Sequence, residues 1–177
     1  MKRLPILFGL VLTPALFYFT PANAAENLIM QGTLVDAPCF IRPGDDVITL
    51  DFEEIIDKFL YRYKRTPSRP LQIHLEDCDI SVFKGVKVTF QGIESTALPG
   101  MLKLDAGSLA KGVAIGVENA NGNPLPFNVA SPTTVLQSGD MVLRFNAYVQ
   151  GEPDAIINRR IGHGPFTATA TFVLDYL

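Results

Sequence analysis

Two cysteines, two histidines and two short groups of acids are the side chains through which this 177-residue chain could do chemistry. Cys39 and Cys78 could pair, hold a metal or remain thiols, and two cysteines alone make a poor zinc site. Glu53, Glu54 and Asp57 could supply paired carboxylates for glycosidic acid–base work, yet no glycosidase-like context accompanies them. Asp45-Asp46 after Pro43-Gly44 has the look of a cation loop but suits an ordinary turn with solvated acids. His74 falls in an apolar–polar alternation and His163 between glycines, where surface or locally bonded histidines are the rule. Tyr61-Arg62-Tyr63-Lys64-Arg65 mixes rings and cations as a site for an acidic glycan or nucleic acid would. The run is short and the chain acidic, so a loop covering the edge of the fold is the expectation. No phosphate loop, dinucleotide fingerprint, zinc-binding helix or nucleophile elbow occurs, and Gly107-Ser108 lacks the elbow's second glycine. The expectation is a non-enzyme with no cofactor and no metal.

The elements that would position these residues begin after a leader. Lys2 and Arg3 precede an apolar run from Leu4 to Phe19, and Ala22-Asn23-Ala24 offers a small-x-small cleavage site. That is the form of a secretory signal peptide over residues 1–24, too short in its apolar core for a membrane span. The expected mature chain starts at Ala25. Without Lys2 and Arg3 it has 13 basic residues against 18 acidic, a net charge of −5. Such a balance argues against nucleic acid or an anionic membrane as partner, and no second apolar run could insert stably in a bilayer. Export to an oxidising compartment makes one Cys39–Cys78 disulfide the expected state.

The mature segment reads as all-β. Expected strands are 28–35, 47–52, 71–76, 86–91, 113–118, 141–149 and 166–176. Arg42-Pro43-Gly44-Asp45, Leu98-Pro99-Gly100 and Asn121-Gly122-Asn123-Pro124 read as turns between them. Apolar residues at 52, 55, 56, 59 and 60 have helical spacing, which places a short helix over 51–60. No repeat or low-complexity linker divides the chain, so residues 38–177 are read as one sandwich or barrel domain.

Both ends of that chain alternate with period two. Phe166, Ala168, Ala170, Phe172, Leu174 and Tyr176 share one face of a strand launched by Gly164-Pro165. Leu28, Met30, Gly32 and Leu34 share a face near the expected cleavage site. Pattern alone leaves open whether these strands stay in their own domain or pair with another chain. Taken together, the signal peptide, Met30-Gln31-Gly32-Thr33-Leu34, Asp36-Ala37-Pro38-Cys39, Leu75-Glu76-Asp77-Cys78 and the tail with its penultimate Tyr176 carry a family resemblance. So do Leu98-Pro99-Gly100 and Phe145-Asn146-Ala147-Tyr148-Val149. The chain resembles subunits of chaperone–usher pili, most of all minor P-pilus-type adaptor subunits.

The resemblance implies an incomplete immunoglobulin-like β-sandwich, the pilin fold, lacking its final strand. Residues 25–37 would be an N-terminal donor-strand extension, with Leu28, Met30, Gly32 and Leu34 as its working face. Gly164, Phe166, Ala168, Ala170, Phe172, Leu174 and Tyr176 would edge the groove that receives a donor. Implied partners are a periplasmic chaperone that lends a strand, an outer-membrane usher, and neighbouring subunits at both ends. The protein would pass through the periplasm to a fimbrium on the cell surface. A small lectin-like adhesin or a pilus terminator is the alternative.

Overall fold

The structure, a computed structural model, describes residues 37–177. The expected leader and the expected donor residues Leu28, Met30, Gly32 and Leu34 lie outside the described residues. The elements in chain order are β1 (Phe40–Ile41), α1 (Asp57–Tyr63), β2 (Arg69–Cys78), β3 (Gly85–Gln91), β4 (Leu102–Lys103), β5 (Val113–Asn119), β6 (Pro124–Leu125), β7 (Thr134–Val135), β8 (Gly139–Gly151), α2 (Pro153–Ile157) and β9 (Thr171–Tyr176). They form two antiparallel sheets. The larger runs β1-β2-β8-β5-β4 with β6 beside β5, and the smaller runs β7-β3-β9.

Alternation decides which face of each strand is dry. Ile73 and Leu75 of β2 and Leu143, Phe145, Ala147 and Val149 of β8 point from the larger sheet into the core. Val86, Val88 and Phe90 of β3 answer from the smaller sheet. The Phe90 and Phe145 rings meet edge to face across the gap at 5.1 Å, a favourable ring geometry. β5 is dry on both faces: Val113, Ile115 and Val117 face the main core, while Ala114 packs with Leu98, Met101 and Tyr148 on the outer side.

The turn at 42–45 closes with Asp45 N–H donating to Arg42 O at 2.9 Å. Those at 98–101 and 119–122 close on Leu98 and Asn119 carbonyls, so the three turn signals mark real reversals.

Cys39 and Cys78 form the disulfide, joining the residue before β1 to the end of β2, and both are buried. Closing this loop is worth at most about 4 kcal/mol in the chain-entropy model. Reduction is therefore expected to lower the urea midpoint of the folded chain by the equivalent of up to about that amount, read by tyrosine fluorescence with and without dithiothreitol.

Two expected elements before β2 differ from the structure. The helix occupies 57–63 rather than 51–60. Phe52 and Ile55 pack against the core from an extended segment, and only from Asp57 does the backbone turn, ending where Lys64 takes φ 69° and bonds to Leu60 O. Residues 47–52 are not in a strand, although Ile48, Leu50 and Phe52 face inward and Val47, Thr49 and Asp51 outward. The alternation is present; what is lacking is a hydrogen-bonded neighbour among the described residues.

Candidate functional site

The site is the open side of the sandwich, bounded by two chain segments. One boundary is residues 46–55, none of which is buried and none of which makes a backbone hydrogen bond to the backbone of another described residue. The other is the C-terminal tail. β9 lies at the edge of its sheet, paired on one side with β3 from Val86↔Tyr176 to Gln91↔Thr171 and with no described strand on its other side.

The tail is a strand only over 171–176, not over the whole of 166–176. Its first half lies against the loop 105–110, held by backbone and side-chain bonds rather than a regular ladder. Asp105 N–H donates to Thr167 O at 2.9 Å, and Leu109 N–H to Pro165 O at 2.9 Å. Thr167 N–H donates to Ser108 Oγ at 3.1 Å, and Thr169 Oγ1 to Asp105 Oδ2 at 3.0 Å. At the far end, the backbone N–H groups of Lys84 and Gly85 both donate to Leu177 O, at 2.7 and 3.0 Å. The tail is thus anchored along one side at both ends.

Of the sequence-expected groove residues, Phe166, Ala168, Phe172, Leu174 and Tyr176 pack against the core while remaining partly open. Ala170 and Gly164 are exposed. No residue from 166 to 176 is buried. Gly164 serves the turn: its φ is +132°, and a Cβ there would sit 2.7 Å from Leu109 Cβ.

Between the two boundaries lies a cleft of about 550 Å³, floored by Leu50, Ile55, Leu60, Val113, Val149 and Phe166. Sequence reasoning found the tail side of this cleft and missed the other. Ile48, Leu50, Phe52 and Ile55 were legible as apolar, but nothing local marks a strand as unpartnered. The Phe52 and Phe166 rings approach to 6.3 Å where the boundaries come closest in the chain's aromatic pairs. At that end His163 Nε2 lies 3.1 Å from Asp57 Oδ2, and this bond holds the Asp57 carboxyl below its ordinary range. At the other end burial pushes the Tyr176 hydroxyl above its ordinary range. The other histidine, His74, pairs with Asp45 at 2.7 Å. Each histidine thus has one carboxylate partner, and among the described residues no three potential ligands cluster as a metal site would require.

An apolar floor flanked by backbone without a strand partner is the kind of surface to which an extended peptide can add, because main-chain bonds supply affinity and alternate pockets supply selectivity. All-β, two-sheeted and open along one side, the domain has the architecture of a pilin. The family model for fimbrial proteins matches residues 28–177. Fimbria A protein of Serratia marcescens is 33% identical over 159 residues, covering 88% of each chain. The fimbrial adapter PapK of Escherichia coli is 32% identical over 180 residues, covering 93% of this chain and 97% of PapK. Among solved structures, the P pilus rod subunit PapA superposes with a TM-score of 0.69 at 27% identity, covering 80% of this chain and all of PapA. The chain belongs to the fimbrial protein family and is a structural subunit of a chaperone–usher pilus, the surface fibre that such subunits form.

Proposed function

We propose that this subunit polymerises by donor-strand exchange and occupies a minor, adaptor-type place in its pilus. The observation that carries the exchange is an unladdered edge on β9 facing an unladdered segment at 46–55 across an apolar cleft. Residues 25–35 number 11, as do residues 166–176, and an extended strand of that length spans about 36 Å. A donor from a neighbour would lie between the two boundaries, with positions equivalent to Leu28, Met30, Gly32 and Leu34 facing the floor. Before assembly a periplasmic chaperone would cover the same edge, and an outer-membrane usher would exchange one for the other. An exposed apolar edge of this kind otherwise aggregates.

The adaptor-type place is supported by the likeness to PapK over nearly both full lengths. A rod place is the second reading, favoured by the superposition on PapA. The full-length protein expressed in a periplasm with a matching pilus chaperone is expected to elute as a stable one-to-one complex. Without it, aggregation or degradation is expected, as read by size exclusion and mass spectrometry. A stable monomer that needs no chaperone would overturn the exchange reading. Immunogold labelling that runs along the fibre rather than marking single points would select the rod reading.

A further inference from the structure

The face formed by α1, α2 and the loop after α2 is cationic and partly apolar. Lys58, Arg62, Lys64, Arg159 and Arg160 are all exposed there. Among them stand Tyr63, 57% exposed, and Ile157, 79% exposed. Arg160 has a carboxylate partner in Asp154, while Lys58, Lys64, Arg62 and Arg159 are in no ion pair with a described residue, the two arginines instead lying near the Tyr63 and Tyr61 rings. This face is where the cleft ends: α1 starts at Asp57, bonded to His163, and Gly162 bridges Lys111 just before the tail begins.

The opposite end of the domain is acidic. β2 and β8 run its length, so the two ends lie roughly 35 Å apart. Asp45, Asp46, Glu76, Asp77, Asp79 and Asp140 gather where β2 ends and β8 starts. Arg42 offsets Glu76 at 2.7 Å. Phe40 stands exposed beside Glu76, its register partner. The described chain enters at this end: Asp79 N–H donates to Pro38 O, and Cys39 is bonded to Cys78.

The geometry points to the cationic α1–α2 face as a docking surface for the acidic end of a second copy of this chain, stacked head to tail. The inference rests on the strand-exchange reading and on the rod reading of place, in which like copies join. Every strand pair in the domain is antiparallel, so a donor beside β9 is taken to run antiparallel to it. Its last residue, Val35, then emerges at the Phe166 end. Only Asp36, Ala37 and Pro38 separate Val35 from Cys39, a reach of about 14 Å even fully extended. The acidic end of the incoming copy is thereby held against the cationic face. A donor running the other way would emerge near Tyr176, whose strand partner Val86 lies at the end where Glu76, Asp77, Asp79 and Asp140 gather, and would set acid against acid. Opposite charge at facing ends raises the rate of encounter and suppresses the wrong orientation.

The test uses the full chain purified as its chaperone complex. A peptide of residues 25–36 first reports groove filling, and light scattering then reports joining of copies. K58E/R62E and D77K/D79K are each expected to bind the peptide as the unaltered chain does. Each is expected to join its own kind about tenfold more slowly, with a flatter salt dependence. A mixture in which D77K/D79K donates to K58E/R62E should recover to within about threefold, because the ion pairs are re-formed with signs exchanged. Equal joining rates for all variants, or no joining of unaltered copies despite peptide binding, would overturn the stacking and leave strand exchange standing. A peptide that enters no groove would overturn the exchange reading and the stacking with it.

Discussion

Replacing Gly32 with lysine is expected to stop the chain from donating its strand while leaving it able to receive one. In the exchange reading, position 32 faces the cleft floor of Leu50, Ile55, Leu60, Val113, Val149 and Phe166, all apolar and packed on or within the core. A lysine there would bring its ammonium against that floor with no carboxylate among those residues. The effective penalty for an unpaired buried ion is several kcal/mol. At about 4 kcal/mol the affinity or joining rate falls roughly a thousandfold, since each 1.4 kcal/mol is a factor of ten. The chain's own groove is untouched, so its chaperone complex should form in normal yield. The check is a pairwise one: G32K offered as donor to the unaltered complex, then the reverse, with joining followed by size exclusion. Loss in the first direction alone is the expected result. Joining at the normal rate in both directions would refute the assignment of position 32 to the groove floor.

The second large effect concerns the outer face of the larger sheet. Glu118 is 4% exposed, yet it carries a carboxylate. Arg65 Nη2 donates to both of its oxygens at 3.1 and 3.0 Å, and Ser68 Oγ donates to Oε1 at 2.5 Å. The Arg65 guanidinium also stacks on Tyr148 at 3.7 Å. That tyrosine lies over Gly116, where a Cβ would come within 2.4 Å of the ring. Arg65→Ala would leave a buried charge with one hydroxyl for company. Breaking such a pair from one side costs about 3 kcal/mol or more, a large share of the roughly 5–15 kcal/mol that holds a domain together. Urea unfolding of the peptide-filled chain should show this loss. Adding Glu118→Gln to Arg65→Ala should recover much of it, because the amide carries no charge to strand. If R65A alone unfolds at the normal urea concentration, water reaches Glu118 and the pair contributes little.

The residues of this chain determine a good deal without help from the fold. Alternation along 71–76, 86–91, 113–118 and 141–149 marks strands that all lie within β2, β3, β5 and β8, because a strand with one dry face must alternate. The cysteines of an exported chain pair because there are only two of them. What only the tertiary structure decided is which strands lack a neighbour. Residues 47–52 and 166–170 alternate as well as any, yet neither is laddered, since a ladder depends on residues far away in sequence. Loop 105–110 holds the start of the tail through Ser108 and Asp105, two residues with no local signal. Likewise, the mixed aromatic and basic run at 61–65 reads locally as an edge loop. Folding divides it, turning Arg65 inward to Glu118 and leaving Arg62, Tyr63 and Lys64 on an open face. Local pattern sets which side of a strand is apolar; whether that side is covered is set by long-range packing, and here the uncovered side is where the exchange reading seats a donor.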